Sequence, residues 1–410
     1  MNHGPVTNDR PFGGDRLPAL DGVRAIAAFV VLLYHVAMES GAGLAEGFFG
    51  GVLARGDVGV PIFFVLSGLL LYRPWAARAV LGVEPPRVRA YLWKRVLRIL
   101  PAYWIVVVVA LALWSRDRLD DVWTWVQLLL LGQNYVPDPW WGGLGPRGLA
   151  QMWSLSVEMA FYLTLPLMAW VLGRCAAGAV SPSGRAKRLL AGLGVFALLG
   201  YVWTYFAFHP VYRPEMNVWL PRAWTYFAAG MALAVLLAWV RSERDGHEDG
   251  DRHGAGGGDG PAGRFARGLA ASWGTCWVIA AMAYAIASTP VTGKRFFGEE
   301  TLWTAWFELV LYTVVALALV APVAVADARD SALGRFFGGP VMRFLGEVSY
   351  GVFLWQFVVL YAWYELTGQR PWTGNFPLNL LAVAGLTLLL ATLTHRLVER
   401  PLQRLRGLVR

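Results

Sequence analysis

Ten stretches of nearly unbroken apolar sequence, each close to the length that crosses a bilayer, constrain this chain more than any other feature. They run over residues 20–38, 58–73, 99–115, 153–172, 189–208, 223–240, 269–288, 302–324, 344–366 and 378–397. A hydrocarbon core of about 30 Å takes about 20 residues of helix. Hydrophobic residues make up 57 % of the 410 positions and charged ones 15 %. In water that balance would expose large apolar patches, which excludes soluble, disordered and solenoid classes. In lipid each backbone polar group must be satisfied within its own segment, and a helix does that without a partner strand. The fold class is therefore an all-α integral membrane protein with about ten transmembrane helices. An eleventh apolar segment, 122–131, is too short to span and ends in Gly132-Gln133-Asn134. It reads as one short re-entrant or interfacial helix.

The net charge of +9 acquires its meaning from position. With ten spans and both termini cytoplasmic, 27 of the 36 Lys and Arg fall in cytoplasmic segments and nine outside, as the positive-inside rule requires. The charge is orientation signal, no nucleic acid is expected, and the chain reads as a multi-pass protein of the cell (plasma) membrane. Residues 1–16 form a polar tail, and the apolar stretch that follows is too long for a signal-peptide core, so it reads as an uncleaved first span. Residues 241–267, with their glycine-rich run, read as a disordered cytoplasmic loop within a single membrane domain over 17–402, and 403–410 as a basic tail. His247 and His253 lie in that insert without metal-ligand spacing, so no metal site is expected. Cys175 and Cys276 read as small core residues.

Ionisable side chains inside a membrane cost several kcal/mol unless they face protein or water. The first span carries Asp21, Arg24 and His35. Arg24 and His35, eleven residues apart, share a helix face about 16 Å apart along the axis, and Asp21 is within pairing reach of Arg24. Glu158 enters the fourth span about five residues below the outer surface, at the depth His35 reaches from the other side. A carboxylate beside an imidazole would fix its tautomer and stabilise its protonated form, as a general base needs. A structural hydrogen bond between helices is the plainer alternative.

Arg95 and Arg98 share a face at the cytoplasmic start of the third span and can grip phosphate oxygens, or simply contact lipid headgroups. In the outer loop, Asn134, Tyr135, Trp140 and Trp141 can stack on or bond a sugar, although interfacial belts use the same residues. Ser67, Ser154 and Ser156 are oxyanion candidates by chemistry, with helix packing as the commoner use.

At this point several segments resemble the acyltransferase 3 family, integral membrane O-acyltransferases of bacterial polysaccharides and antibiotics. They are Leu-Pro-Ala-Leu-Asp-Gly-Val-Arg leading to His35, Phe-Phe-Val-Leu-Ser-Gly (63–68), Arg-Val-Leu-Arg-Ile-Leu-Pro-Ala-Tyr-Trp (95–104), Trp-Ser-Leu-Ser-Val-Glu (153–158), Leu-Gly-Glu-Val-Ser-Tyr-Gly-Val-Phe-Leu-Trp (345–355) and Val-Glu-Arg-Pro-Leu (398–402). The resemblance implies acyl-CoA as a co-substrate, with no bound cofactor, and a hydroxyl acceptor, often on a sugar. It matches His35 to the family's essential histidine, Arg24 to its first-helix arginine, Arg95 and Arg98 to its paired arginines, and Glu158 to its acidic residue. Gln356 departs from a histidine common in relatives, which places it among the acceptor-side candidates. Met159-Ala160 replaces a common Glu-Gln, and the chain is expected to lack the esterase-like domain fused to some members.

The expectation is transfer of an acyl group, foremost acetyl, from acyl-CoA to a hydroxyl of an envelope polysaccharide, lipid-linked glycan or secondary metabolite. Asp21, Arg24, Arg95 and Arg98 would hold the donor; His35, oriented by Glu158, would deprotonate the acceptor or carry the acyl group itself. The alternatives are a proton-coupled transporter or exporter using the same intramembrane residues, and a non-catalytic envelope scaffold.

Overall fold

The computed structural model describes residues 17–251, 260–293, 295, 300–326 and 332–409. Among them no strand occurs, and twelve helices organise the chain. These are α1 (Pro18–Glu39), α2 (Gly59–Leu81), α3 (Val88–Trp114), the short α4 (Val122–Leu129), α5 (Trp153–Ala177), α6 (Pro182–Phe208), α7 (Leu220–Asp251), α8 (Pro261–Ala271), α9 (Trp273–Ala287), α10 (Leu302–Val325), α11 (Pro340–Thr367) and α12 (Phe376–Thr394).

Helix boundaries follow local chemistry. Pro18, Pro182 and Pro340 open α1, α6 and α11, where a missing N–H costs nothing. Ser181, Asp121 and Asn375 cap α6, α4 and α12 with side-chain oxygens. Gly82 and Gly368 stop α2 and α11 at φ values of 78° and 65°, which favour glycine.

Nine segments are long and apolar enough to span, and a tenth exists if α8 and α9, bent by 69° at their junction, count as one. This refines the expected span 269–288: α9 alone has 15 residues, too few to cross. The insert at 241–267 is helical on both sides, because α7 runs to Asp251 and α8 begins at Pro261. Glu243 accepts from the backbone N–H groups of Ala262 and Gly263 and ties the two helices. His253 and the tail 1–16 lie outside the described residues. The basic C-terminal segment is not a loose tail: Trp93 Nε1 on α3 donates to the Leu405 carbonyl at 3.1 Å.

Exposure separates a lipid-facing shell from an inner bundle. The apolar windows of α6 and α12 are 22 % buried, against 78 % for the segment containing α2. Cys175 is exposed and Cys276 half-exposed, which corrects their reading as small core residues: both lie on the outside of the bundle. The centre belongs to α1, which packs on α2, α10, α11 and α12.

Glycine permits the closest approaches. A Cβ at Gly68 of α2 would strike the Phe227 carbonyl, and one at Gly230 of α7 the Val65 carbonyl, a reciprocal small-residue contact. Gly346 of α11 meets the Asp21 carbonyl in the same way, which sets the distance of α11 from the polar face of α1. Gly68→Val is expected to cost about 1–3 kcal/mol and to lower the unfolding midpoint in detergent; an unchanged midpoint would count against this packing.

Candidate active site

Three voids lie in series through the inner bundle and share walls. The first, at the end of α1 that carries Asp21, has about 830 Å³, within the range of small-molecule sites. Seven arginines and three carboxylates line it among the described residues, with Arg24, Arg95 and Arg98 at its deep end. Arg24 Nη1 pairs with Asp21 at 3.2 Å. Among the described residues Arg95 and Arg98 have no carboxylate within 4 Å, and Arg95 Nε is a buried donor with no partner. The void is therefore a basic vestibule with unspent donors, suited to a multiply charged anion. A turn of π-helix at His395–Glu399 forms part of its wall, a distortion frequent at functional sites.

Arg24, Arg95, Arg98 and Leu71 also line the second void, a neck of about 70 Å³. Glu158 sits in this neck. Its Oε1 accepts hydrogen bonds from the Ser67 hydroxyl and from Tyr162 Oη, the latter at 2.6 Å. Val60, Phe64, Ser154 and Phe353 border both the neck and the third void.

The third void is a chamber of about 510 Å³ that contains His35 in its wall. The ring lies between Tyr34, at 4.9 Å between centroids, and Phe357, at 4.2 Å. His35 Nδ1 is 3.0 Å from Gln356 Oε1. Gln356 Nε2 donates to the Phe353 carbonyl at 3.0 Å, which turns its amide oxygen toward the ring. An oxygen can only accept, so Nδ1 carries the hydrogen, and in the neutral ring Nε2 is the nitrogen that keeps its lone pair. An uncharged imidazole with a basic Nε2 is what proton abstraction requires.

These positions correct the expected pairing of His35 with Glu158. The two residues do share the interior, but Gln356 orients the ring and Glu158 belongs to the arginine-lined neck. Counting depth along two helices ignored which element fills the space beside the ring. Ser154 and Val157 of α5 line the chamber, whereas the Glu158 side chain lines the neck.

The outer-loop candidates serve other ends. Asn134 Nδ2 donates to the carbonyls of Trp153 and Val218, bracing α5 against the 214–218 turn. Tyr135 packs on Trp219, and Trp140 Nε1 donates to Thr124 beside Trp141. None of the four lines the chamber. Gln356 does not act as a free acceptor contact either, since both ends of its amide are engaged. Among the serines, Ser67 is committed to Glu158 and Ser156 donates to the Leu131 carbonyl at 2.6 Å; Ser154 donates to the Gln151 carbonyl at 3.2 Å.

Sequence reasoning missed another part of the chamber wall, where Arg55, Asp57, Arg222, Glu300 and Glu308 meet. Glu308 lies inside the apolar stretch 302–324, so the rule that singled out His35 and Glu158 would have found it too.

Gln356→Leu is expected to lower turnover about 10- to 100-fold without altering donor affinity, because it leaves a buried Nδ1–H unpaired. Gln356→Glu keeps the acceptor oxygen and should retain activity while raising the acidic limb of the pH–rate profile, since a carboxylate stabilises imidazolium. A profile identical to that of the unaltered chain would remove Gln356 from the role of positioning residue.

Comparison with known proteins supplies the chemistry class. A family profile described as "Acyltransferase domain" matches residues 17–396. Acyltransferase MdmB of Streptomyces mycarofaciens is 27 % identical over 423 residues, covering 96 % of this chain and 93 % of its own length. Peptidoglycan O-acetyltransferase OatA of Listeria monocytogenes is 23 % identical over 95 % of this chain, and putative peptidoglycan O-acetyltransferase YrhL of Bacillus subtilis 24 % over 94 %. This chain spans 56 % and 55 % of those two proteins. No solved structure matches it significantly. With the motifs, the helical membrane bundle and the profile in agreement over nearly its whole length, the chain belongs to the acyltransferase 3 family of membrane O-acyltransferases.

Proposed function

We propose that this membrane O-acyltransferase moves an acyl group, foremost acetyl, from acyl-CoA to a hydroxyl of a sugar-containing acceptor. The observation that carries the reading is the series of three voids, which joins Arg95 and Arg98, with no carboxylate within 4 Å among the described residues, at one end of α1 to an imidazole nitrogen near the other. Arg24, Arg95 and Arg98 hold the nucleotide phosphates in the vestibule, on the cytoplasmic side of the plasma membrane with both termini. The thin pantetheine arm follows α1 through the neck and presents its thioester in the chamber. Its reach is comparable to the distance of about 16 Å spanned by the eleven residues from Arg24 to His35.

In the chamber His35 Nε2 takes the proton of the acceptor hydroxyl, whose oxygen attacks the thioester carbonyl. The carbon–sulfur bond breaks as the ester forms, and the proton passes from the imidazole to the departing thiolate. Glu158 acts in the neck, where its carboxylate, held by Ser67 and Tyr162, balances the three guanidiniums and shapes the passage. That role replaces orientation of the imidazole.

The test is incubation of the purified chain in nanodiscs with radiolabelled acetyl-CoA and membrane glycan or sugar acceptors. Label should appear in an ester that mild base cleaves. Gradient-driven solute movement with no acylated product would instead make the chain a transporter. Ser67→Phe should close the neck and abolish transfer while leaving acetyl-CoA binding in the vestibule intact; full turnover by that variant would refute the route.

A further inference from the structure

The wall of the chamber shared with His35 contains a charge arrangement that the transfer step does not use. Arg222 Nη2 lies 3.0 Å from Glu308 and 3.5 Å from Glu300. Arg55 pairs with Glu308 at 3.9 Å and donates to the carbonyls of Thr292 and Gly293 at 3.0 and 2.8 Å. Tyr312 donates to Asp57 at 2.6 Å. Both guanidiniums are thus spent on protein acceptors. Among the described lining residues, three carboxylates face two arginines.

Two further observations have the same sense. Gln151 is 3 % exposed and lines the chamber. Its Nε2 is held by the Leu354 carbonyl at 3.0 Å, and its Oε1 has no partner. Asn217, in the same wall, also has an amide oxygen without a partner. Buried acceptors left unpaired cost free energy until a ligand donates to them. Trp153, Trp219 and Tyr226 add aromatic surface, which attracts cations.

An anionic sugar would meet no free guanidinium among the described lining residues, and a neutral one would leave their extra carboxylate uncompensated in a low-dielectric site. A protonated amine supplies the missing positive charge and three N–H donors at once. Resting on the acyl-transfer reading for the role of the chamber, we propose that this wall is an acceptor subsite for an amino sugar. The ammonium is held by the Asp57, Glu300 and Glu308 carboxylates, and the ring hydroxyls donate to Gln151 Oε1 and Asn217 Oδ1.

The test uses the full chain in detergent with three probes: methyl β-glucosaminide, methyl β-glucoside and methyl β-glucuronide. Each is titrated to tens of millimolar while the unfolding midpoint is followed, since a ligand that binds the native state raises it. The glucosaminide should half-saturate at a concentration about tenfold below the glucoside, the margin of one charge-assisted bond, and the glucuronide should not bind. In Glu308→Gln that preference should vanish while the stabilisation by acetyl-CoA is unchanged. Should Glu308→Gln not fold, Asn217→Leu, which removes the unpaired amide oxygen along with the Nδ2 bond to Tyr212 Oη, should weaken both the glucosaminide and the glucoside.

Equal or better binding of the glucoside, preferred binding of the glucuronide, binding of none of the three, or a preference that survives in Glu308→Gln would overturn the subsite. So would undiminished binding of both sugars by Asn217→Leu. If label moves from acetyl-CoA to neutral sugars in preference to amino sugars, only the subsite falls. If the amine preference holds and no acyl transfer occurs to any acceptor, the transfer reading falls and the subsite stands.

Discussion

His35→Ala is expected to reduce acyl transfer by about 10²- to 10⁴-fold, the usual contribution of a positioned general base, and to leave the protein folded in detergent. The fold should tolerate the change because the ring lines a chamber and is not a packed core residue; its structural partner, Gln356, keeps its bond to the Phe353 carbonyl. The size of the loss follows from geometry. Nδ1 is committed to Gln356, so Nε2 is the nitrogen left to take a proton. A His35→Gln variant should be as inactive as the alanine, since an amide cannot take the proton at neutral pH. Both variants should still be stabilised by acetyl-CoA, because the proposed phosphate site lies at the far end of α1. Turnover by His35→Ala within a few-fold of the unaltered chain would refute the base assignment.

Arg95→Ala and Arg98→Ala should each raise the KM for the acyl-CoA donor about 10- to 100-fold, the worth of a charge-assisted hydrogen bond to phosphate. The acceptor KM should change little. The physical ground is the imbalance of the vestibule, where among the described residues these two guanidiniums have no carboxylate partner within 4 Å and Arg95 Nε is buried without an acceptor. Their loss should also flatten the dependence of donor KM on salt, because screening acts on the attraction that has been removed. Arg→Lys variants should recover only part of the affinity, since an ammonium cannot form the paired contacts of a guanidinium. An effect confined to the acceptor would place the arginines elsewhere in the reaction.

The polar stripe of α1 was legible from spacing alone. Asp21, Arg24 and His35 are placed by the 3.6-residue turn, and the Asp21–Arg24 pair forms at 3.2 Å as that spacing requires. Arg95 and Arg98 converge with Arg24 on one void, which their three-residue interval permits but does not dictate. Where inference failed, it did so between helices. Counting residues from the span ends gave Glu158 and His35 similar depths, yet Gln356, more than three hundred residues away in sequence, takes the place beside the ring. The outer-loop aromatics read by composition as sugar platforms or an interfacial belt; they do not line the chamber, whereas Trp153 and Trp219 do.

The amino-acid sequence determined that the chain is a helical membrane bundle, because the length and frequency of apolar runs leave lipid as the only compatible solvent. It also determined which charged residues must face inward, because lipid penalises every other placement. Tertiary structure alone decided their partners. Rotation and close approach of helices, set by contacts such as Gly346 against the Asp21 carbonyl and Gly68 against Phe227, fix which side chains meet. Those contacts join residues far apart along the chain, and no local periodicity encodes them.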